Sequence, residues 1–201
     1  METDDKKLRL KILCRELQFV LPYIRRELPE VELLTEGDDF DRCVAVVTPD
    51  EAEGIEAPTV LICPNVVGTR MKGLPMQMAE MIASGRYYHI PGSEARLSTV
   101  HASDVARAVA LAMDTPGRFT VTDGDNPTFH DLAEALAYRL KDKRIYTAKY
   151  RLIPRLTMGA LYRTVQHDQM VFGVDFASCF DFHPTPVVQY LRAHVYDDER
   201  L

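Results

Sequence analysis

Short apolar runs alternate with segments of helical periodicity along the first two thirds of the chain. Two runs, Cys43 to Thr48 (CVAVVT) and Thr59 to Cys63 (TVLIC), are rich in β-branched residues and nearly free of polar ones, which is typical of strands buried on both faces of a parallel sheet. Weaker patterns predict further strands at Leu8 to Leu13, Val31 to Leu34, Tyr87 to Ile90, Leu97 to Val100 and Arg118 to Thr122.

Helical stripes separate these strands. The spacing of apolar residues predicts a helix from Leu17 to Leu28, with Pro22 either kinking it or lying in its first turn. A capping box at Thr128 to Asp131 predicts the start of another helix. The remaining predicted helices cover Pro75 to Ser84, Val105 to Ala112, Leu152 to Val165 with interruptions at Pro154 and Gly159, and Pro186 to Val195.

This alternation predicts an α/β fold, namely a shortened Rossmann-like and mostly parallel sheet with flanking helices. The chain is expected to form one domain over residues 1–201, with a sheet core at 1–122 and a small, mostly helical region of substrate-binding type at 123–201 packed on it. The segment between the strands at 43–48 and 59–63 is polar, acidic and too short for more than a turn of helix.

Charge and composition exclude several classes of protein. The net charge of −6 argues against binding to nucleic acid, which depends on clustered Lys and Arg. No apolar run approaches the roughly 20 residues of a membrane span, and the N-terminal METDDKKLRLK does not read as a secretory signal. We therefore expect a cytoplasmic protein that binds neither nucleic acid nor membranes.

The four cysteines are far apart and contain no CxxC pair. We expect them to be buried, reduced thiols. Cys179 and His183 are four residues apart, but one such pair is weak support for a zinc site. The sequence therefore predicts no metal site.

Three segments resemble a known enzyme family when they are taken together in order and spacing. They are Cys63 to Gly68 (CPNVVG), Arg96 to Ala108 (RLSTVHASDVARA) and Phe119 to Leu136 (FTVTDGDNPTFHDLAEAL). They resemble the RPxNVYG, RxxxVHVxDxAxA and YNVxDGxxxTxxEL segments of the extended short-chain dehydrogenases/reductases, also called NAD-dependent epimerases/dehydratases. A fourth segment, FASCFDFHPTPVVQYLRAHVY at residues 176–196, resembles the closing helix of that family and the turn before it only faintly. The resemblance covers most of residues 59–140.

The resemblance implies a Rossmann-type sheet, an NAD(P) cofactor and a nucleotide-sugar-like substrate. In that family the arginine that matches Arg96 often contacts a substrate phosphate, and the asparagine that matches Asn65 lines the same cleft. Both roles suit the residue types, because a guanidinium offers a charged fork for phosphate oxygens and the carboxyl end of a strand opens onto the ligand crevice.

Two departures from the family pattern weigh against its chemistry. The glycine-rich loop that lets the backbone approach a pyrophosphate is replaced by residues 13–19 (LCRELQF), where Glu16 adds a negative charge. The Tyr-x-x-x-Lys pair is absent, since no tyrosine in the chain has a lysine four residues later. The stretch between residues 34 and 59 is also too short for the helices that would carry that pair.

Four residues remain as candidates for function, each with a structural alternative. Arg96 is expected either to bind a phosphate or carboxylate, or to pair with a surface acid such as Glu94 or Asp123. Asn65 either contacts a ligand or bonds its own turn. Arg70 lies in a basic, glycine-containing loop that either grips a ligand or is a solvated connection. His101 is either a catalytic base or a packed, helix-capping residue.

We therefore expect a degenerate relative of this family that binds a ligand or another protein without catalysis and without a cofactor. The expected ligand is small and either phosphorylated or sugar-like, held near Asn65, Arg70 and Arg96. A homodimer, or a complex with a full-length relative, is the expected assembly. The alternative is an NAD(P)-dependent epimerase, dehydratase or reductase with an altered cofactor site, in which His101 is the candidate base.

Overall fold

A computed structural model describes residues 9–12, 15–33, 43–141 and 143–193 of the chain. Its strands are β1 (Arg9–Ile12), β2 (Glu32–Leu33), β3 (Cys43–Val47), β4 (Thr59–Ile62), β5 (Val66–Val67), β6 (Tyr88–His89), β7 (Val100–His101), β8 (Gly117–Thr120) and β9 (Tyr146–Thr147). Its α-helices are α1 (Leu21–Glu27), α2 (Gly73–Ala83), α3 (Ala102–Ala112), α4 (Phe129–Arg139), α5 (Leu152–Thr157), α6 (Leu161–Thr164), α7 (Phe176–Cys179) and α8 (Val187–Ala193).

The main sheet has five parallel strands in the order β2-β1-β3-β4-β8. The chain passes from β1 to β2 on one side and then to β3 on the other, so the strand order reverses between β1 and β3. Two short parallel pairs, β5 with β7 and β6 with β9, lie outside this sheet. The predicted α/β, Rossmann-like, mostly parallel sheet with flanking helices is confirmed.

The two faces of the sheet are covered differently. Val44, Val46 and Leu61 face a large apolar cluster that includes residues of α1 and α3. The alternate positions, Ala45 and Val60 among them, pack against the crossover at residues 48–58, which holds only a 3₁₀ turn at Pro49–Glu51. The crossover is too short for a packed helix, as the sequence indicated.

Arg118 of β8 fixes this crossover in place. Its guanidinium donates hydrogen bonds to the carbonyl oxygens of Ala52 and Ile55. The amide of Gly117 also donates to the carbonyl of Pro58 at 2.9 Å. Arg118 and Gly117 at the start of β8 thus fix the crossover, whose regular structure is limited to the one 3₁₀ turn.

A second apolar cluster joins α2 to helices α4 and α8 of the C-terminal region. Met78, Leu132, Leu136 and Leu191 are fully buried there. The predicted capping box of α4 is present, with Thr128 accepting from the amide of Asp131 and Asp131 accepting from the amide of Thr128. Across the described residues, none of the helices is long and apolar enough to cross a membrane.

Several predicted boundaries move. Residues 15–20 form a 3₁₀ helix, and the α-helix starts at Leu21, because Pro22 has no N–H for an α-helical bond and is suited to the first turn. Helix α2 begins at Gly73, two residues before Pro75. Pro154 lies within the first turn of α5 rather than interrupting it, whereas the interruption near Gly159 is present.

The strand predicted at Leu97 to Val100 is displaced. Only Val100 and His101 pair as β7, while Leu97 forms an isolated bridge with Gln169 from the C-terminal region. The predicted ends at Leu8, Leu13, Leu34 and Val195 lie outside the described residues.

Candidate functional site

A cleft opens outside the carboxyl ends of β3 and β4, next to the point where the strand order reverses. Residues Thr48–Asp50 follow β3 there, and Cys63–Asn65 follow β4. The opposite walls are the start of α2 and the segment at 168–171, and the cavity volume is about 460 Å³. Ligands of open α/β sheets bind at this position, and the volume lies within the roughly 300–1,000 Å³ typical of small-molecule sites.

Side chains of the glycine-free turn form one wall of the cleft. Leu17 is 3% exposed, and Phe19 packs against both large apolar clusters. Phe19 lies against Gly68, where a Cβ would meet Phe19 at 3.6 Å, the Tyr23 hydroxyl at 3.2 Å and the Ala102 Cβ at 2.8 Å. Where a dinucleotide fold brings backbone amides to a pyrophosphate, this chain presents apolar side chains.

The charged groups around the cleft are mostly acidic. Asp50 and Asp168 line it, and Lys72 is the cation among the described lining residues. One oxygen of Asp168 accepts the backbone amide of Arg96 at 2.8 Å. The cleft therefore offers carboxylate acceptors to hydroxyl donors more readily than it offers cations to a phosphate.

Asn65 lies in the cleft wall with a positive φ of 39°. Its side-chain amide donates to the carbonyl of Ser98 at 2.9 Å, rather than bonding its own turn. The Ser98 hydroxyl accepts the amide of Val171 at 3.1 Å, on the opposite wall. Asn65 thus links the end of β4 to Ser98, and the Ser98 hydroxyl in turn contacts the far wall of the cleft.

The other two predicted ligand residues lie elsewhere. Arg70, with a φ of 61°, is exposed in a neighbouring groove beside Gln18 and Tyr23. Arg96 is exposed, and its guanidinium donates to the carbonyl of Asn126 at 2.9 Å. Arg96 makes no ion pair with Glu94 or Asp123, so neither of its two predicted partners is observed. The structure does not bring Asn65, Arg70 and Arg96 together in one cleft.

His101 caps a helix and is packed among aromatic rings. It is 3% exposed, and its Nδ1 accepts the amide of Ser103 at the start of α3. Its ring lies 3.8 Å from that of Tyr190, centroid to centroid. His101 does not line the cleft. This placement matches the structural alternative stated for His101.

Two buried carboxylates that the sequence analysis did not single out as a pair anchor the C-terminal region. Asp104 is paired with Arg107 at 2.7 Å and accepts the amide of Thr185 at 2.7 Å. Asp123 accepts the Thr99 hydroxyl at 2.7 Å and the amide of Val187 at 3.1 Å. Burial raises the pKa of both carboxyls above the usual aspartate range.

A cluster of two histidines and a glutamate lies away from the cleft. His89 of β6, His130 of α4 and Glu134 of α4 place their ligand atoms within 4.8 Å of one another. The sequence analysis missed this cluster, although the His130–Glu134 spacing of four residues on a predicted helix was a visible signal. His89 is separated from them by about forty residues, which only the fold brings close.

The cysteines follow the prediction only in part. Cys43 and Cys63 are buried, and burial raises the pKa of the Cys63 thiol. Cys179 is exposed, because it ends the short surface helix α7, so its predicted burial is wrong. His183 is exposed and pairs with Asp181 at 3.2 Å. Cys14 lies outside the described residues.

Comparison with known proteins shows similarity in structure but not in sequence. No protein-family model matches the chain, and no curated protein matches it. A GDP-L-fucose synthetase from Naegleria fowleri bound to NADP is similar, with a TM-score of 0.61 and 8% identity over 97% of this chain and 94% of that chain. The human epimerase family protein SDR39U1 (isoform 2) with NADPH has a TM-score of 0.60 and 10% identity, over 94% of this chain and 100% of that chain.

A UDP-N-acetylglucosamine 4-epimerase from Bacillus cereus is similar as well, with a TM-score of 0.57 and 10% identity over 95% of this chain and 100% of that chain. These likenesses agree with the parallel sheet and flanking helices described above and with the resemblance of the sequence segments. The chain has the α/β fold of the extended short-chain dehydrogenases/reductases.

Proposed function

We propose that this protein binds a small ligand in the cleft beside β3 and β4 and does not transfer hydride. The observation that carries the proposal is the wall made by Leu17 and Phe19. A dinucleotide pyrophosphate needs converging backbone amides and close approach, which glycines permit. A buried leucine and a half-buried phenylalanine supply neither, and the chain has no Tyr-x-x-x-Lys pair to move a proton.

The lining of the cleft supports a sugar-like ligand over a phosphorylated one. Asp50 and Asp168 accept hydrogen bonds from hydroxyls and repel phosphate oxygens. Asn65 adds a carbonyl acceptor, and Lys72 is the one cation among the described residues that line the cleft. A phosphorylated ligand would depend on Lys72 alone against two carboxylates.

The first experiment is calorimetric titration with NADH, NAD⁺, NADPH and NADP⁺. The Naegleria fowleri GDP-L-fucose synthetase, which has been crystallised with NADP, is the positive control. We expect no saturable binding of any of the four nucleotides to this protein. Binding with a Kd in the micromolar range, which corresponds to a binding free energy of about −8 kcal/mol, would overturn the proposal.

The second experiment identifies the ligand and places it. A panel of neutral sugars, sugar phosphates and nucleotide sugars is screened by thermal shift. Asp50→Asn removes a carboxylate from the cleft, while Asp114→Asn makes the same change at an exposed position beyond α3. If the ligand binds in the cleft, Asp50→Asn binds it at least several-fold more weakly than the unaltered chain does. Asp114→Asn binds it as tightly as the unaltered chain.

The alternative is an NAD(P)-dependent epimerase, dehydratase or reductase with an altered cofactor site. The fold and the position of the cleft favour it, since similar structures contain NADP or NADPH. It requires a base, and His101, the candidate from the sequence, is buried outside the cleft. Turnover of NAD(P)H with nucleotide sugars that is lost in His101→Ala would support it. Absence of both turnover and bound nucleotide would count against it.

Partner binding is the second part of the proposal. Helix α5 carries the exposed side chains Leu152 (63%) and Leu156 (74%), flanked by Arg151 and Arg155. An exposed apolar patch with a basic rim suits an interface with a second copy or with an acidic relative. Analytical ultracentrifugation is expected to show a dimer that Leu156→Asp dissociates and that Leu111→Asp, on α3, leaves intact. A monomer at every concentration contradicts self-association.

A further inference from the structure

The group His89, His130 and Glu134 lies where β6 meets the first turns of α4. The two helical residues share one face, because a spacing of four places side chains one above the other. His89 comes from the neighbouring strand and is 8% exposed. None of the three lines the cleft described above.

The contacts in this group bring three metal-ligand atoms together. Nε2 of His89 is 2.6 Å from Oε1 of Glu134. The ring centroids of His89 and His130 are 3.8 Å apart, with the ring planes tilted by 37°. All three ligand atoms lie within 4.8 Å of one another. A tetrahedral zinc with ligands at about 2.0–2.2 Å holds its donors roughly 3.4 Å apart, so small side-chain rotations suffice.

We propose that His89, His130 and Glu134 form a Zn²⁺ site with three protein ligands and a water as the fourth. Two imidazoles and one carboxylate are a donor set that zinc uses, and an open fourth position accompanies three protein ligands. His130 is exposed and the Glu134 side chain is 44% exposed, so the ion reaches the site from solvent.

The buried ligand is suited to the metal without a large rearrangement. Zinc binds the neutral imidazole through one ring nitrogen, and Nε2 of His89 already lies beside Oε1 of Glu134. Binding replaces the hydrogen bond between His89 and Glu134. The proton on Nε2 passes through solvent to Nδ1, so the ring stays neutral and Nε2 is free to bind the ion. The bound ion would then tie β6 to α4 in place of that bond.

The experiment uses tag-free, full-length protein treated with a chelator and then titrated with ZnCl₂ by calorimetry at a pH near 7.5. We expect one zinc per chain. His130→Ala and Glu134→Gln each weaken binding by about tenfold or more. His183→Ala is the matched control, because His183 also pairs with a carboxylate, Asp181, but belongs to no three-residue ligand group among the described residues. It leaves the affinity unchanged.

Two further readouts separate this site from loose surface binding. Zinc at about a hundred times its Kd raises Tm by roughly 5–10 °C in the unaltered chain and not in His130→Ala. Co²⁺ in place of zinc gives the intense visible bands of a four-coordinate ion, and these vanish in Glu134→Gln. Absence of saturable binding, or binding that His130→Ala and Glu134→Gln leave unchanged, overturns the proposal.

Discussion

Gly68, in the loop after β5, lies in close contact with Phe19 of the cleft wall and with Ala102 of α3. The φ of Gly68 lies outside the left-handed region, so the backbone would accept an L-residue. Its surroundings would not, because a Cβ there would lie 2.8 Å from the Cβ of Ala102 and 3.2 Å from the Tyr23 hydroxyl. We therefore expect Gly68→Ala to be destabilising for steric reasons alone.

The size of the effect follows from the overlap. Carbon atoms in contact prefer about 3.5–4.0 Å, so the new methyl group overlaps Ala102 by at least roughly 0.7 Å. Overpacking of this kind costs about 1–3 kcal/mol, which lowers Tm by roughly 2–12 °C for a chain of this length. Ala102→Gly, at the start of α3, removes the Cβ that lies nearest to the new methyl group. By itself it is expected to lower the free energy of unfolding by about 1–2 kcal/mol.

The decisive measurement is a double-mutant cycle by urea unfolding. If the clash with Ala102 is the cause, the double mutant Gly68→Ala/Ala102→Gly loses less free energy of unfolding than the two single mutants lose in total. We expect the difference to be about 1–2 kcal/mol. Additive free energies would refute the steric explanation. A neutral Gly68→Ala would show that α3 and the Phe19 wall shift apart freely, contrary to the packing described.

Three further expectations concern stability. Thr128→Ala breaks the capping box with Asp131 and is expected to lower the free energy of unfolding by about 1 kcal/mol in urea, while Thr128→Ser retains most of it. Burial raises the pKa of Asp123, so the native state holds its proton more tightly than the unfolded chain, and the stability that Asp123 contributes falls as pH rises from about 4 through its native pKa. The stability of the unaltered chain relative to Asp123→Asn should therefore fall as pH rises above about 4, and a constant difference would contradict this. Leu136→Ala, at a fully buried position, is expected to cost about 2–5 kcal/mol, and Leu111→Ala, at an exposed one, far less.

Sequence patterns predicted those parts of the fold that depend on local chemistry. Helix α4 was predicted with its capping box, because Thr128 and Asp131 act within one turn. Strands β3 and β4 were predicted from their apolar runs, because strands of a parallel sheet are buried on both faces. The displaced strand at Leu97 shows the limit, since its partner Gln169 lies in another part of the chain.

The candidate site was less predictable than the fold, because its geometry depends on distant segments. The position of Asn65 in the cleft followed from its place after a strand, but its bond to Ser98 did not. Arg96 matched a family position, yet its guanidinium is engaged with the carbonyl of Asn126. The third member of the metal-ligand group, His89, joins His130 only through tertiary structure.

The buried carboxylates Asp104 and Asp123 have a consequence for local opening. They accept the backbone amides of Thr185 and Val187, ahead of α8 and at its start. Surface segments usually exchange these hydrogens for deuterium through small fluctuations that leave the core intact. Here the two amides can be released only by withdrawing them from buried carboxyl groups, which leaves each carboxyl group short of a donor. We therefore expect both amides to exchange as slowly as those of β4, so that the start of α8 opens only together with the sheet.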